Sequence, residues 1–319
     1  MRILPSKRAH LYVLERARIY VRDGRLEYAS ERGDDHDPLS FNIPAANTML
    51  LLIGPGSSIT QEAVLKLKSE GVSFGFCGSG GTPLLAADDP FPNLVTPADE
   101  YRDPSCLIRW IGMWNDEAKR LRFAKHLFGR RVENIYAAWD SKLGLKGAFP
   151  AAPDKELEDF TKKVARAPDT QTLLGHEGAL TKALYAAAGR ATGWPEFARE
   201  QRSREAPPAA PKRLLDHGNY LAYGLAGVVL WTLGIPASLS VVHGKTRRGG
   251  LVFDVADVVK DAFVLPAAFN IARRMLNQDL EARDTVFRAA LIDIFHERQV
   301  VGLMFDAILS GLEEAEDEC

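Results

Sequence analysis

The sequence predicts an α+β protein in which the strands come first and the helices follow. Short β-branched and aromatic runs, bounded by turn residues, fill positions 1–95, a pattern typical of strands. From about Cys106 onward, apolar residues recur at helical spacing instead. Several prolines lie between the two patterns and indicate a connecting segment. We therefore expect a β-rich N-terminal domain over 1–95, a linker over 96–106 and an α-helical domain over 107–319.

The composition is that of an ordinary globular protein. The chain has 319 residues, of which 46% are hydrophobic and 26% charged, and its formal net charge is −2. This length is enough to bury a sizeable core in two domains. Because the net charge is close to zero, any nucleic acid must be held by local basic patches. Charges interrupt the apolar positions near the N-terminus, so we expect neither a signal peptide nor a membrane span.

The cysteines indicate a reducing compartment. There are three, Cys77, Cys106 and Cys319, and they are widely spaced and form no paired motif. This pattern argues against a disulfide framework and against structural zinc. We therefore expect a cytoplasmic protein.

The N-terminal elements follow from apolar runs and the turn residues between them. Asp23-Gly24 is a hairpin signal between two such runs. The glycine-containing turn at 54–60 joins a strand to a helix and so could cradle a phosphate. It lacks the lysine of a P-loop, so we favour a structural role in which Ser57, Ser58 or Thr60 caps the helix. The predicted strands cover 11–14, 18–21, 26–28, 48–53 and 72–77, and the predicted helix covers 61–70.

The helical half contains several apolar stripes. Trp110 and Trp114 lie on the first stripe, and we expect them in the core rather than on a base-stacking surface. Arg130 and Arg131 are interpreted as a solvated helix face. Glu177 lies beside the stripe of an alanine-rich helix, where a carboxylate at the edge would ordinarily reach water. The predicted helices begin near residues 107, 173, 214, 262 and 287.

The segment 241–260 holds the densest group of chemically active side chains. The apolar run 239–242 predicts a buried strand or the end of a buried helix. His243 follows, and Asp254 and Asp257 come after a basic glycine loop; on a helix their Cβ atoms would lie about 5–6 Å apart. Because unpaired buried carboxylates are unfavourable, a metal ion is one explanation. The alternative is a structural loop in which the aspartates pair with basic residues, namely Lys245, Arg247 and Arg248.

Three longer stretches resemble the motifs of one known family. Residues 41–84 (FNIPAANTMLLLIGPGSSITQEAVLKLKSEGVSFGFCGSGGTPL) resemble the N-terminal signature of the CRISPR adaptation integrases, the nucleases that insert new spacers. Residues 173–185 (LLGHEGALTKALY) resemble its catalytic-glutamate helix. Residues 215–261 resemble its Asn/Tyr helix followed by the His and Asp motifs. The stretches follow the family's order over nearly the whole chain. The sequences LDHGNYLAYG and HGKTRRGGLVFDVADVVKD are most similar to those of the type I-F branch.

The resemblance implies a fold, an activity and a set of partners. The fold would be a β-sandwich-like N-terminal domain that mediates dimerisation, followed by an all-α catalytic domain, in a homodimer. The activity would be that of a metal-dependent DNA integrase and endonuclease, which joins the 3′-OH ends of a prespacer to the CRISPR repeat by transesterification. The partners would be double-stranded DNA and a small ferredoxin-like adaptation protein, which in type I-F is fused to the helicase-nuclease. No membrane is implied.

The resemblance also assigns roles to individual residues. Glu177, His243 and Asp257 match the metal ligands, and together with Asp254 they form the implied catalytic set. Two carboxylates and an imidazole suit Mg²⁺ or Mn²⁺, with positions left for water and substrate. The positions implied to support the site or bind DNA are Asn219, Tyr223, Lys245, Arg247, Arg248 and Lys260.

Two other functions remain open on the residues alone. The first is a stand-alone metal-dependent nuclease that acts on branched DNA in repair. It would cut junctions without a partner and would show no preference for a repeat sequence. The second is a non-catalytic scaffold whose charged cluster is a salt-bridge network. Such a scaffold would bind no Mn²⁺, and replacing Asp257 would lower stability rather than activity.

Overall fold

The computed structural model describes residues 4–30, 39–81, 93–96, 103–139, 152–194, 210–244, 249–275 and 280–316. The strands in these ranges all precede residue 96, and every α-helix except the first begins after residue 104, so the predicted α+β order is confirmed. The strands are β1 His10–Leu14, β2 Ala17–Arg22, β3 Arg25–Ser30, β4 Leu39–Asn42, β5 Thr48–Ile53, β6 Ser58–Ile59, β7 Ser73–Phe76 and β8 Asn93–Val95. The helices are α1 Gln61–Ser69, α2 Ser105–Asn115, α3 Glu117–Trp139, α4 Asp154–Arg166, α5 Thr170–Thr192, α6 Ala210–Leu233, α7 Gly250–Val259, α8 Leu265–Arg274, α9 Leu280–Glu297 and α10 Val300–Glu316.

The strands form two four-stranded sheets. The first sheet has the order β1-β5-β7-β8, with β1, β5 and β7 parallel and β8 antiparallel to β7. The second has the order β4-β3-β2-β6 and is antiparallel except for the short β2–β6 pair. Apolar residues from both sheets and from α1 share one core, which makes the N-terminal region β-sandwich-like as expected.

Strand β5 lies between two apolar cores. All six of its residues are buried, which is typical of a central parallel strand. Leu51 and Ile53 face the core between the sheets, whereas Leu50 and Leu52 face the core of the helices. The alternation follows from the two-residue period of a strand. Through β5 the first sheet therefore packs directly against the helical part of the chain.

The turn after β5 has the structural role that the sequence favoured. Thr60 caps α1, because its side chain accepts a hydrogen bond from the Ala63 amide at 3.2 Å. The Ser57 hydroxyl accepts from the Ala17 amide at 3.2 Å and donates to the Leu14 carbonyl at 3.2 Å. These side chains are thus used to join the two sheets and to start the helix.

The helical part is built around α7, whose ten residues are all buried. It packs against α3, α6 and α10. Trp110 is fully buried, as expected, whereas Trp114 is partly buried and its indole nitrogen donates to the Ser240 carbonyl at 2.9 Å. In the described part of the chain, no helix combines the length and apolar character that crossing a bilayer requires.

A π-helical segment, Lys260–Val264, joins α7 to α8. The Leu265 amide bonds to the Lys260 carbonyl five residues earlier, one residue more than in an α-helix. Pro266 follows and has no N–H to donate to the carbonyls before it. The Trp139 indole instead donates to the Asp261 carbonyl at 2.9 Å. A proline and an inserted side-chain donor thus account for the wider turn.

Two expectations are wrong. The run 239–242 is neither strand nor helix, because the amides of Val241 and Val242 are bonded to the Asp254 carboxylate and are not available for a ladder. Arg131 is not on a solvated face; it is 2% exposed because three acidic side chains surround it inside the fold. Strands β4, β6 and β8 were not predicted.

The proposed domain boundaries remain a prediction. Most of the expected linker, 97–102, lies outside the described residues, and α2 begins at Ser105. Leu11, Met49 and Cys77 belong to the same apolar core as the helices. The two regions therefore share a buried surface.

Candidate metal centre

Three side chains from separate parts of the chain converge beside α7. Glu177 comes from the middle of α5, His243 from the irregular segment between α6 and α7, and Asp257 from α7 itself. One ligand atom from each lies within 4.8 Å of the others. All three are buried or nearly so. The resemblance named these same residues as metal ligands.

Asp254 organises the backbone that carries His243. One of its oxygens accepts hydrogen bonds from the Ser240 hydroxyl at 2.7 Å and from the Val241 and Val242 amides at 2.8 and 3.2 Å. The other accepts from the His243 amide at 3.1 Å and pairs with His243 Nδ1 at 2.7 Å. Both oxygens are therefore occupied by this segment. The bond to Nδ1 leaves Nε2 as the ring atom that faces Glu177, at 3.4 Å from Oε2.

The two carboxylates of the cluster differ in their electrostatic surroundings. Burial raises the pKa of Glu177, but its bond with His243 and the Arg131 guanidinium outweigh burial and bring the pKa well below its ordinary value. Burial, reinforced by the Glu177 charge, raises the pKa of Asp257 despite the nearby Lys260 and Arg131 cations. Two carboxylates held this close are stabilised in their ionised forms by an additional positive charge.

The imidazole is more basic than an ordinary histidine in this metal-free arrangement. Burial lowers the pKa of His243, but hydrogen bonds with Asp254 and Glu177 outweigh burial and raise the pKa to about 9. A proton on Nε2 would occupy the position that a metal ion needs. Metal binding therefore requires this proton to leave.

Lys260 and Tyr223 lie together at the edge of the cluster. The Lys260 ammonium donates to Tyr223 Oη at 3.2 Å, lies over the tyrosine ring, and contacts Asp257 Oδ1. Tyr223 also packs edge-on against Phe253 at 4.8 Å between ring centroids. Asn219 is buried on α6 one turn before Tyr223, on the same helix face. The structure thus brings Lys260 and Tyr223 to the cluster.

Sequence reasoning missed two residues at this site, Arg131 and Asp261. Arg131 donates to Glu177 Oε1 at 3.1 Å and to Asp261 Oδ2 at 2.8 Å. The sequence carries a signal for Arg131, because it lies four residues after Leu127 and three after Phe128 and so shares their buried face of α3. Asp261 has a detectable signal, since it falls one helical turn beyond Asp257.

The donor set fits a divalent cation. The buried Asp257 Oδ1 atom pairs with a cation already, the Lys260 ammonium. Glu177, His243 and Asp257 offer mixed oxygen and nitrogen donors of the kind that Mn²⁺ and Mg²⁺ accept.

The basic residues Lys245, Arg247 and Arg248 fall between the described ranges 210–244 and 249–275, so their predicted DNA-contacting role lies outside the described residues.

Comparison with protein families gives a match over most of the chain. The model of the family described as CRISPR associated protein Cas1 matches residues 11–293. The CRISPR-associated endonuclease Cas1 of Pseudomonas aeruginosa (strain UCBPP-PA14) is 45% identical over 312 residues, which cover 96% of this chain and 93% of that protein. The protein of the same name from Pectobacterium atrosepticum is 40% identical, and the match again covers 96% of this chain and 93% of that protein. The CRISPR-associated endonuclease Cas1 2 of Thermus thermophilus is 26% identical over 86% of this chain and 73% of that protein.

Solved structures share the fold over the same extent. A Cas1 protein from Thermotoga maritima aligns with a TM-score of 0.72 at 16% identity and covers 96% of this chain and 97% of its own. A TtCas1–DNA complex aligns at 0.68 and 22% identity, covering 95% and 91%. A casposase bound to integration product aligns at 0.64 and 15% identity, covering 88% and 81%. With a family match over residues 11–293 and relatives at 45% and 40% identity, the chain belongs to the Cas1 family of CRISPR-associated proteins.

Proposed function

We propose that the chain is a metal-dependent integrase and endonuclease of CRISPR adaptation. It joins the 3′-OH ends of a prespacer to the CRISPR repeat by transesterification, and Mg²⁺ or Mn²⁺ is its cofactor. The observation that carries the proposal is the convergence of Glu177, His243 and Asp257 within 4.8 Å in a chain of the Cas1 family. The family's solved neighbours include a complex with DNA and a casposase on its integration product, which agrees with DNA as the substrate.

Glu177, His243 and Asp257 would hold the ion. A divalent ion bound there supplies Lewis-acid stabilisation of the charge that develops at a phosphoryl group during an in-line displacement. Asp254 acts on the ligand set indirectly: it holds Nδ1 of His243, so that Nε2 is directed at the ligand position. We therefore propose that Asp254 positions His243.

Lys260 is the described cation best placed to act on DNA. Its ammonium lies between Tyr223 Oη and Asp257, beside the ligand set. At this position it would neutralise charge on a phosphate oxygen of the bound strand. Tyr223 and Asn219 would line the same side, and the three cations Lys245, Arg247 and Arg248 would contact the DNA backbone.

The branch and the partners are also proposals. The type I-F assignment rests on the motif sequences LDHGNYLAYG and HGKTRRGGLVFDVADVVKD. We propose a small ferredoxin-like partner, fused in this branch to the helicase-nuclease. We also propose a homodimer formed through the N-terminal sheets, in which β4 exposes Leu39 and Phe41.

An integration assay tests the proposal. The protein, with and without its partner, is incubated with Mn²⁺, a labelled short duplex with free 3′-OH ends, and a supercoiled plasmid that carries the cognate repeat. Glu177→Ala and His243→Ala are run alongside. His176→Ala is the matched control, because it removes an imidazole next to Glu177 without removing a proposed ligand.

Label transferred by the wild type and by His176→Ala, but not by the two ligand variants, supports the proposal. Cleavage of junction DNA without transfer would replace it with the repair nuclease. Absence of both activities together with absence of Mn²⁺ binding would favour the scaffold.

A further inference from the structure

We infer that Arg131, held in place by Asp261, is a positioning residue of the metal centre that fixes Glu177 in its ligand orientation. Neither residue is among the proposed ligands. The inference rests on the metal site proposed above and adds to it a pair of residues on which metal affinity depends.

The Arg131 guanidinium connects α3 to the helices that carry two of the ligands. Nη1 donates to Glu177 Oε1 at 3.1 Å and lies 4.0 Å from Asp257 Oδ2. Nη2 donates to the Thr181 hydroxyl at 3.2 Å, one turn after Glu177 on α5. Arg131 therefore contacts α5 at two successive turns and α7 at the site of its ligand.

The bond to Glu177 restrains the carboxylate through the oxygen that points away from the histidine. Oε1 accepts from Arg131, whereas Oε2 lies 3.4 Å from His243 Nε2. Rotation of the carboxylate would break the bond to the buried guanidinium, which costs more than breaking one in water. Oε2 therefore stays directed at the ligand position before any ion arrives.

Asp261 determines where the guanidinium lies. Its Oδ2 accepts from Nε of Arg131 at 2.8 Å and also pairs with Nη2. Without this carboxylate, the cation would be attracted only to Glu177 and Asp257 and would compete there with a metal ion. Asp261 thus keeps the cation close enough to orient Glu177 and far enough away to leave the ligand position open.

The position of Asp261 is itself built into the fold. It lies in the π-helical segment after α7, and its carbonyl accepts from the Trp139 indole at 2.9 Å. The Asn134 amide donates to the Val258 carbonyl at 3.0 Å. Arg131, Asn134 and Trp139 all come from α3, so one helix sets the register of the segment that carries Asp257 and Asp261.

The chemistry of arginine suits this role. Its planar fork can reach Asp261, Glu177 and Thr181 in fixed directions, whereas a lysine ammonium would supply a single point of charge. Arg131→Lys therefore keeps the charge and removes the fork. Asp261→Asn keeps the shape and removes the charge that holds the fork.

Calorimetric titration of Mn²⁺ into the full-length protein tests the inference. We expect Arg131→Lys and Asp261→Asn each to weaken Mn²⁺ binding by about 10- to 100-fold, the usual effect of losing a group that orients a ligand. Arg130→Lys is the control, because Arg130 pairs with Glu133 on the surface at 2.7 Å. The Mn²⁺ affinity of this variant should match that of the wild type. In the integration assay, the Mn²⁺ concentration needed for half-maximal rate should rise in the two variants, and kcat at saturating Mn²⁺ should stay near the wild-type value.

Wild-type affinity in both variants would overturn the inference. So would a low kcat that saturating Mn²⁺ does not restore, because Arg131 would then act on the DNA rather than on Glu177. A variant that stays unfolded at saturating Mn²⁺ would also count against it, since the pair would then be needed for the fold as a whole. If the wild type binds no Mn²⁺, the proposed function itself is refuted. The inference alone is refuted by a different result, in which the wild type and both variants bind Mn²⁺ with equal affinity.

Discussion

At the scale of single residues, the site depends on one carboxylate that binds no substrate. Asp254 accepts hydrogen bonds from the Ser240 hydroxyl and three consecutive amides, and pairs with the ring of His243. The resemblance placed it in the implied catalytic set but not among the metal ligands. Its role follows from the irregular backbone at 239–244, which no periodicity predicts. Arg131 lies on the buried face of a regular helix, but its acidic partners Glu177 and Asp261 come from far along the chain.

We predict that Asp254→Asn disables the metal centre without removing a proposed ligand. An amide NH₂ would face backbone N–H groups, and leaving buried donors unsatisfied costs about 1–3 kcal/mol. Urea unfolding should show a loss of this size, and calorimetry should show weaker Mn²⁺ binding. Asp306→Asn, at an exposed position, is the control. Unchanged Mn²⁺ binding in Asp254→Asn would refute the positioning role.

The basicity of His243 leads to a prediction about pH. Its pKa in the metal-free protein is raised from 6.5 to about 9. The charged ring therefore stabilises the fold fully below about pH 6.5, and this contribution is lost as the pH rises through about 9. Because a metal ion requires the neutral ring, Mn²⁺ affinity should increase over the same interval.

Thermal unfolding of EDTA-treated protein between about pH 6 and pH 9.5, paired with Mn²⁺ titrations, measures both trends. His243→Gln removes the titrating ring and should flatten both. An equal pH dependence in the variant would assign the trends to another group.

At the scale of elements, the close approach of α7 to the histidine segment limits which residues fit. A Cβ added to Gly250, at the start of α7, would lie 2.9 Å from the His243 carbonyl carbon and 2.9 Å from Ser240 Oγ. This contact explains Gly250, and a left-handed backbone with φ of 64° explains Gly249. Strands β1, β2, β3, β5 and β7 and helix α1 were predicted because local patterns determine them. The π-helical segment depends on tertiary contacts, and the sequence did not predict it.

We predict that Gly250→Ala displaces the histidine segment and weakens Mn²⁺ binding. Gly178→Ala is a matched control on α5, next to Glu177, where an added Cβ meets nothing within 4 Å. In a helix interior this change should stabilise the protein by about 0.5–1 kcal/mol. Equal Mn²⁺ affinities for the two variants would show that the contact at Gly250 does not matter to the centre.

At the scale of the whole molecule, the first sheet and the helices share one apolar core, and the second sheet has an exposed edge. Strand β4 is exposed along its length; Leu39 is 69% and Phe41 45% exposed. An apolar edge strand readily pairs with another chain. The proposed homodimer would cover this edge.

We predict that Leu39→Lys combined with Phe41→Lys shifts the protein from dimer to monomer in sedimentation experiments. Leu65→Lys is the control, because Leu65 is 59% exposed but belongs to α1 and not to β4. If the variant sediments as a dimer like the wild type, the dimer interface lies elsewhere on the protein. A monomeric wild type would refute the dimer itself.

The central claim is that Glu177, His243 and Asp257 together hold a divalent ion. The most direct measurement is anomalous X-ray diffraction from crystals of the full-length protein grown with Mn²⁺, with Glu177→Ala crystals collected in the same way. The account predicts an anomalous peak bounded by Glu177 Oε2, His243 Nε2 and the Asp257 carboxylate in the wild type, and its loss in the variant. A peak at another position, or an ordered cluster that binds no manganese, would contradict it.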